Sequence, residues 1–370
     1  MEQNTSDKNR EPRFGRVIRE DLRRKDFRRT VRRDYEELKE FFIDDERKKR
    51  LKEMRPLKRW LFTAGWLLKA LLLKLTPTRR LLLVVAFILV LFANDLEYNG
   101  EKVKVRVDMG VGAAAIVLFV LMLELKDKLL ARDELAAGRA VQMALLPERT
   151  PKVQGWSVWL FTRTANEVGG DLVDFQKVAE DRFRVTLADV AGKGLSAALL
   201  TAKLQATVRA LAPDIDSLSE VGTKLNRIFY RDSLRNVFAS VVYLEVRSDS
   251  GNLRFVNAGH LPPLLLRGTE IEDMPKGDAA IGILPEAACT ENRIELRKGD
   301  MLLVYSDGLS DAKNVAGEFF GTQRLLKLLP TLKDLGAPEA GERIVAEVNR
   351  FVGDARVYDD LSLIVLKRLA

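Results

Sequence analysis

The sequence predicts an α+β protein: stacked β-sheets flanked by helices, preceded by a helical and partly apolar N-terminal region. Three observations carry this. From about Trp156 onward, strand-like and helix-like patterns come in runs rather than in strict alternation, which favours stacked sheets over a doubly wound parallel sheet. Apolar stretches precede that region at 60–75, 81–93 and 109–123, behind a dense run of charge over residues 1–58. Hydrophobic residues make up 47 % of the 370 residues, enough to bury a core without metals or disulfides.

Residues 1–58 carry blocks such as "RRKDFRRTVRRDYEELKE" and "DDERKKRLKEMR" and read as a basic, solvated, partly disordered arm. Such an arm can also lie on anionic lipid headgroups, at about 1 kcal/mol per nearby Lys or Arg. No signal peptide is expected, because the first apolar run comes late. The charge is lopsided. The first 80 residues hold 25 Lys/Arg against 14 Asp/Glu, and the other 290 hold 36 against 39. The near-neutral C-terminal part argues against nucleic-acid binding.

Residues 59–125 read as an interfacial helix followed by a two-span membrane hairpin. "WLFTAGWLLKALLLKL" carries Lys69, Lys74 and two tryptophans, as an interfacial helix would. "LLLVVAFILVLFA" and "MGVGAAAIVLFVLML" are uncharged. They are shorter than the roughly 20 residues that span a bilayer. A short polar loop with Asn99-Gly100 joins them, and Arg79, Arg80 and the upstream basic residues follow the positive-inside bias. Their flanks are expected to extend each helix as far as Tyr98 and Val107, with both chain ends cytoplasmic at the inner (plasma) membrane.

Residues 126–148 predict a linker helix. "KDKLLARDELAAGRAVQMALL" has apolar residues at helical spacing, and Pro147 ends it. Its stripe packs on its own domain or on a second chain as a short coiled coil, giving a homodimer.

Residues 149–370 form the compact domain. "RFRVTLADV" predicts a strand leading into a helix over 195–212, and "SLSEVGTKLNRIFYRD" a second helix. "FASVVYLEVRSDSGNLRFVNAGH" reads as a hairpin around Ser-Asp-Ser-Gly-Asn. "PPLLLRG", "ENRIELRKGD", "MLLVYSDG" and "DLSLIVLK" are further strands, with helices near 321–332 and 337–352.

Composition narrows the chemistry. Cys289 is the only cysteine, so no intrachain disulfide exists and a reducing compartment is expected. It reads as a small, partly buried apolar side chain. A tyrosine-phosphatase loop would need an arginine six residues on, where Glu295 stands. His260 is the only histidine, which removes histidine-rich zinc sites and leaves metal chemistry to carboxylates and hard ions such as Mg²⁺ or Mn²⁺.

"TLADVAGKGLS" looks at first like a phosphate-cradling loop, but its glycines and hydroxyl do not match G-x-x-x-x-G-K-[ST]. Asp189 belongs instead to a recurring setting in which a β-like run meets a turn. Asp171 in "EVGGDLVDF", Asp189 in "LADVAG", Asp307 in "VYSDGLSD" and Asp359-Asp360 in "YDDLSLIV" share it. Taken singly, a glycine-flanked aspartate is a turn or cap residue. As a set buried at strand ends, these carboxylates would repel one another, and divalent cations would remove that cost. Two ions about 3.5–4 Å apart can share and ionise a water for in-line attack on a phosphate ester.

"EVGGDLVDF", "LADVAGKGLSAALLTA", "NAGHLPPLLL", "GDMLLVYSDGLSDAKN…GEFFG" and "DDLSLIVLK" occur in that order. They resemble the signature blocks of the metal-dependent serine/threonine protein phosphatases of the PPM superfamily, in its bacterial SpoIIE-type branch, over roughly residues 130–370. The resemblance implies an α-β-β-α sandwich and a centre of two or more Mn²⁺ or Mg²⁺ ions that hydrolyses phosphoserine or phosphothreonine. It implies metal ligation by Asp171 and Asp189, the latter bridging, with help from the Val190 carbonyl. Asp307 and Asp359 complete the site, with Asp360 the alternative to Asp359. It also makes "ARDELAAGRAVQMALLPE" a regulatory linker helix. Leu172 and Val173 depart from the family, standing where aromatic residues are common, and the usual upstream sensor is replaced by the basic arm and apolar hairpin. His260 is expected in a structural or substrate-adjacent role rather than as general acid. Lys193 is expected to be an exposed turn lysine rather than a phosphate counter-charge.

The expectation is therefore a membrane-anchored, cytoplasm-facing phosphoprotein phosphatase acting on a small regulatory protein, of the anti-sigma-factor-antagonist (STAS) type. Two other classes compete with it: a catalytically inactive phosphoprotein-binding scaffold, and a metallophosphoesterase acting on nucleotides or lipids.

Overall fold

The computed structural model describes residues 54–91, 96–99, 104–107, 109–233 and 237–369, so the charged arm expected over 1–58 lies almost wholly outside the described residues. The chain divides into two units, residues 1–128 and 129–370.

In the first unit, helices α1 (Pro56–Lys74) and α2 (Pro77–Leu91) each begin on a proline. Proline is tolerated there because the first helical N–H groups have no intrahelical partner. A two-stranded hairpin follows, β1 (Leu96–Asn99) paired antiparallel with β2 (Lys104–Val107), and then the start of α3 (Met109–Leu145). Tyr98 and Val107 therefore lie in strands, not at the ends of extended helices. Asn99 closes β1 opposite Lys104, and "KVRV" alternates as a strand does. Arg79 joins the helices through Glu124 and Asp127, at 2.6 Å each.

The two-span hairpin is not supported. Among the described residues, no helix is long and apolar enough to cross a membrane. Helix α2 has 15 residues, about 22 Å at about 1.5 Å per residue, against a hydrocarbon core of about 30 Å. The uncharged part of α3 ends at Leu123, and the same helix continues through Glu124, Lys126, Asp127 and Lys128 into the predicted linker.

The second unit is a four-layer α-β-β-α arrangement. One sheet has the order β10-β7-β6-β5-β4, built from β4 (Asp171–Lys177), β5 (Arg182–Val190), β6 (Ala239–Arg247), β7 (Asn252–Ala258) and β10 (Glu291–Glu295). The other has the order β3-β12-β11-β8-β9, built from β3 (Trp156–Arg163), β8 (Leu264–Arg267), β9 (Glu270–Asp273), β11 (Met301–Tyr305) and β12 (Leu361–Arg368). Every named pairing is antiparallel.

Leu187, Leu244 and Phe255 of the first sheet meet Leu160, Val304 and Ile364 of the second in the central core. The outer face of the first sheet is covered by α4 (Leu195–Leu211) and α5 (Leu218–Asp232), through Leu204, Val208, Leu225 and Phe229. That of the second is covered by α7 (Gly321–Leu328), a 3₁₀ turn at Leu329–Leu332 and α8 (Ala337–Val352), through Leu325, Ile344 and Val348. Because both faces of the inner strands are covered, β12 is buried along its whole length, and "LSLIVL" reads as a nearly continuous apolar run. Ser217 caps α5 by accepting from the Glu220 amide at 3.2 Å, as "SLSE" foretells.

Candidate metal centre

Strand register brings the first two aspartates together. Asp171 opens β4 and stands directly opposite Asp189 near the end of β5, which in turn faces Ser240 of β6. The second sheet supplies the others. Strands β11 and β12 are antiparallel neighbours, so the end of one lies beside the start of the other. The Ser306 amide donates to the Ser362 carbonyl at 3.0 Å, which sets Asp307, at the start of the short helix α6 (Asp307–Ser310), beside Asp359 and Asp360.

The electrostatics show that these groups feel one another. Burial, followed by the charge of Asp189, pushes Asp171 well above the usual carboxylate range, with Ser306 and Ser362 opposing. Asp189 is raised to about 6 by burial and by the charges of Asp307, Asp359 and Asp360, against the pull of Lys193. Asp307 is raised by burial, then by Asp359 and Asp311. The Oδ2 atom of Asp171 is buried with no hydrogen-bond partner. An orphaned carboxylate oxygen among like charges is what a hard divalent cation would satisfy. The all-carboxylate donor set therefore fits Mg²⁺ or Mn²⁺.

The two aspartates at the start of β12 do different things. Asp360 is buried, and its oxygens accept from the amides of Ala165 and Gly170, at 2.7 Å each, and of Asp171 at 3.4 Å. It anchors the loop that presents Asp171. Asp359 is half exposed and leans toward Lys193 at 3.6 Å, leaving it the freer ligand of the two. Among the described residues, no group of three or more His, Cys, Asp and Glu side chains is placed so that it could hold a metal ion. With one carboxylate turned to a lysine and another to backbone amides, like-charge neighbours stay apart.

The glycines of "EVGGD" are required by close approach. A Cβ on Gly169 would collide with the Asp360 carboxylate, and one on Gly170 would come within 2.9 Å of the Val190 carbonyl oxygen. The Val190 carbonyl thus stands beside the Asp171 loop. Leu172 and Val173 fill the helix-side core and the central core respectively, so β4 is well packed without the aromatics common in the family.

Two neighbours of the site, Asp311 and Gln142, carry no distinctive signal in the sequence. Asp311 lies in "SDGLSD" and its charge raises Asp307. Gln142, near the end of α3, grips the backbone of Gly169 from both sides. Its Nε2 donates to the Gly169 carbonyl at 2.9 Å, and its Oε1 accepts from the Gly169 amide at 3.1 Å. The helix end is also tied to α4, where Gln205 donates to the Leu145 carbonyl at 2.9 Å. An open cleft of about 520 Å³ runs from Asp189 and Asp307 past His260 to Lys276.

His260 sits in a turn clamped by Asn257, which accepts from the His260 amide at 2.9 Å and donates to its carbonyl at 3.1 Å. Gly259 between them needs its φ of 71°, and a side chain there would strike Ala280. Burial pushes the imidazole down to about 4, so it is neutral at pH 7, as a structural or cleft-lining role requires. Lys193 is exposed but tethered, donating to the Tyr358 carbonyl at 3.1 Å. Cys289 is buried, and its thiol is pushed up to about 11 by burial and Asp278, so it stays an inert apolar group at neutral pH.

Comparison with known proteins decides the family. Residues 179–369 match the family model described as Stage II sporulation protein E (SpoIIE). The chain belongs to the SpoIIE family. The "Protein IcfG" of Synechocystis sp. is 26 % identical over 273 residues, 66 % of this chain and 43 % of that protein. The "Phosphoserine phosphatase RsbU" of Bacillus subtilis is 26 % identical over 239 residues, 64 % of this chain and 70 % of that protein. The chain thus spans less than half the length of the first of these relatives. The SpoIIE-family domain has the fold of the SiaA-PP2C domain of Pseudomonas aeruginosa. The TM-score is 0.57 at 20 % identity, covering 65 % of this chain and 98 % of that one. The structure of the PP2C phosphatase domain and a fragment of the regulatory domain of SpoIIE from Bacillus subtilis matches with a TM-score of 0.50 at 17 % identity, over 60 % of this chain and 64 % of that one.

Proposed function

We propose that this chain is a divalent-metal-dependent phosphatase that hydrolyses phosphoserine or phosphothreonine on a regulatory protein. The observation that carries the proposal is the convergence of Asp171, Asp189, Asp307 and Asp359 at one end of the two sheets, with a buried, partnerless carboxylate oxygen among them. These four would hold two or more Mg²⁺ or Mn²⁺ ions, with the Val190 carbonyl beside them. When bound, such ions neutralise phosphate charge and make a water acidic enough to attack at neutral pH.

The chain's own groups do the rest. Asp360 fixes the loop carrying Asp171 through three backbone amides. Ser306 donates its hydroxyl to the Asp360 carbonyl at 3.2 Å and Ser362 donates its own to Thr162 at 2.8 Å, and both serines offset the upward shift of Asp171. Lys193 holds the Tyr358–Asp359 segment at the rim. Gln142 links the linker helix to the same loop through Gly169, so ordering of that helix would be communicated to the carboxylates. Dimerisation through the linker belongs to this proposal.

Likeness to the phosphoserine phosphatase RsbU supports phosphoserine as the group hydrolysed, and the resemblance of the signature blocks supports a phosphorylated antagonist protein of the STAS type in the cytoplasm as its carrier. The first unit exposes Phe87, Leu91, Phe119 and Leu121, which supports contact with a lipid surface at the cytoplasmic face rather than a span. Flotation of the full chain with anionic vesicles tests that contact. The catalytic proposal is tested by phosphate release from a phosphoserine peptide with Mn²⁺ or Mg²⁺, beside nucleotide and phospholipid substrates. Release from nucleotides or lipids alone would favour a different metallophosphoesterase, and binding of the peptide without release would favour a scaffold.

A further inference from the structure

The cleft that holds Asp189 and Asp307 has a cation on its lining. Lys276 is exposed and, among the described residues, has no ion-pair partner. Lys193, nearer the carboxylates, is engaged with Tyr358 and Asp359. The acidic neighbour of Lys276, Asp278, is itself occupied, since it accepts from both the amide and the hydroxyl of Thr290. Lys276 is therefore free to meet a ligand's negative charge.

Its position is fixed by the sheet. Asp278 bridges Ala258 at the end of β7, and Gly277 lies so close to Asn257 that no side chain would fit there. From the strand of Asp189 to this segment, the sheet is crossed by β6 and β7. That makes three strand spacings, about 14 Å at about 4.8 Å each. That separation sets the backbone of Lys276 well apart from that of Asp189 across the cleft. It suits a residue farther along an extended chain, which advances about 3.3 Å per residue. Phe238, Leu261 and Pro262 line the same cleft and offer apolar surface for the intervening residues.

We infer that Lys276 is a specificity-determining residue. It pairs with an acidic side chain lying roughly two to four residues from the phosphorylated serine or threonine of a substrate segment threaded along this cleft. This rests on the phosphatase reading. It adds a preference that the carboxylate centre alone cannot supply, because that centre sees only the phosphate and its immediate carbon chain.

The test uses the full chain in Mn²⁺ with three phosphoserine peptides, whose residues two to four positions from the phosphoserine, on either side, are glutamate, alanine or lysine. In the wild type, kcat/KM is expected to favour the glutamate peptide over the alanine peptide by about fivefold, the size of a good exposed ion pair, mainly through KM. Lys276→Ala should bring that ratio close to one, and Lys276→Glu should turn the preference toward the lysine peptide. Because the ratio is taken within each variant, partial loss of folded protein does not disturb it. An unchanged ratio in both variants overturns the inference while leaving the phosphatase reading intact. No turnover of any peptide by the wild type sinks the phosphatase reading, and this inference with it.

Discussion

Asp171 and Asp189 face each other as directly paired residues of two antiparallel strands, both raised above the ordinary carboxylate range and with one oxygen of Asp171 buried without a partner. Opposed like charges inside a sheet end are costly unless a cation lies between or beside them. Replacing Asp171 by asparagine should therefore raise the melting temperature of metal-free protein by about 2–4 °C, the shift expected for about 1 kcal/mol in a domain of this size. It should also abolish the further rise that Mn²⁺ gives the wild type. Thermal melts of both proteins in EDTA and in Mn²⁺ check this.

The pH dependence has a definite sign. Asp189 titrates near 6 in the folded chain against an ordinary value of 3.8. Between those values the folded state holds more protons than the unfolded, so the stability that Asp189 contributes is full below about 3.8 and is lost as pH rises through about 6. In EDTA, the difference in unfolding free energy between wild type and Asp189→Asn should change in that window and flatten above it. Saturating Mn²⁺ should remove the wild-type loss.

Asp359 and Asp360 are expected to separate cleanly on mutation. Asp359→Ala should keep the fold and weaken metal binding, because its carboxylate is half exposed and, among the described residues, is held just by Lys193 and the Asp360 amide while its charge bears on Asp189 and Asp307. Asp360→Ala should destabilise the domain by about 2–3 kcal/mol, because it leaves the amides of Ala165 and Gly170 without an acceptor. Urea melts and Mn²⁺ titration of the two variants make the comparison.

Gln142 tests the coupling of helix α3 to the centre. Gln142→Glu keeps an acceptor for the Gly169 amide but sets a carboxylate against the Gly169 carbonyl. Faster hydrogen exchange at residues 165–171 is expected, with Mn²⁺ affinity lowered by about tenfold, the usual scale for losing a partner that orients ligands.

The acidic ends of β4, β5, β11 and β12 are legible because an aspartate where an apolar run meets a turn is a local signal, with glycine near three of the four. Helices α4, α5 and α8 were legible for the same reason, their caps and periodicity being local. What escaped depended on distant pairing. "WSVWLFTR" marks the start of the domain's patterned region, but its identity as the edge strand β3 is set by β12, some 200 residues on. The flanks of Asn99-Gly100 read as helix in sequence because their apolar neighbours dominate, although "KVRV" alternates as a strand. The division of labour between Asp359 and Asp360 could not be read from two identical adjacent side chains. It follows from which one meets the 164–171 loop. Gln142 gave no signal, since a glutamine on a helix is ordinarily a solvated residue.

The most direct measurement is phosphate release from a phosphoserine peptide by the full chain across a Mn²⁺ titration, for wild type and Asp189→Ala side by side. Release that rises with Mn²⁺ in the wild type and is absent in Asp189→Ala, with unchanged circular dichroism, is the expected result. Full activity in Asp189→Ala, or wild-type release that persists in EDTA, would contradict a metal centre built on these aspartates.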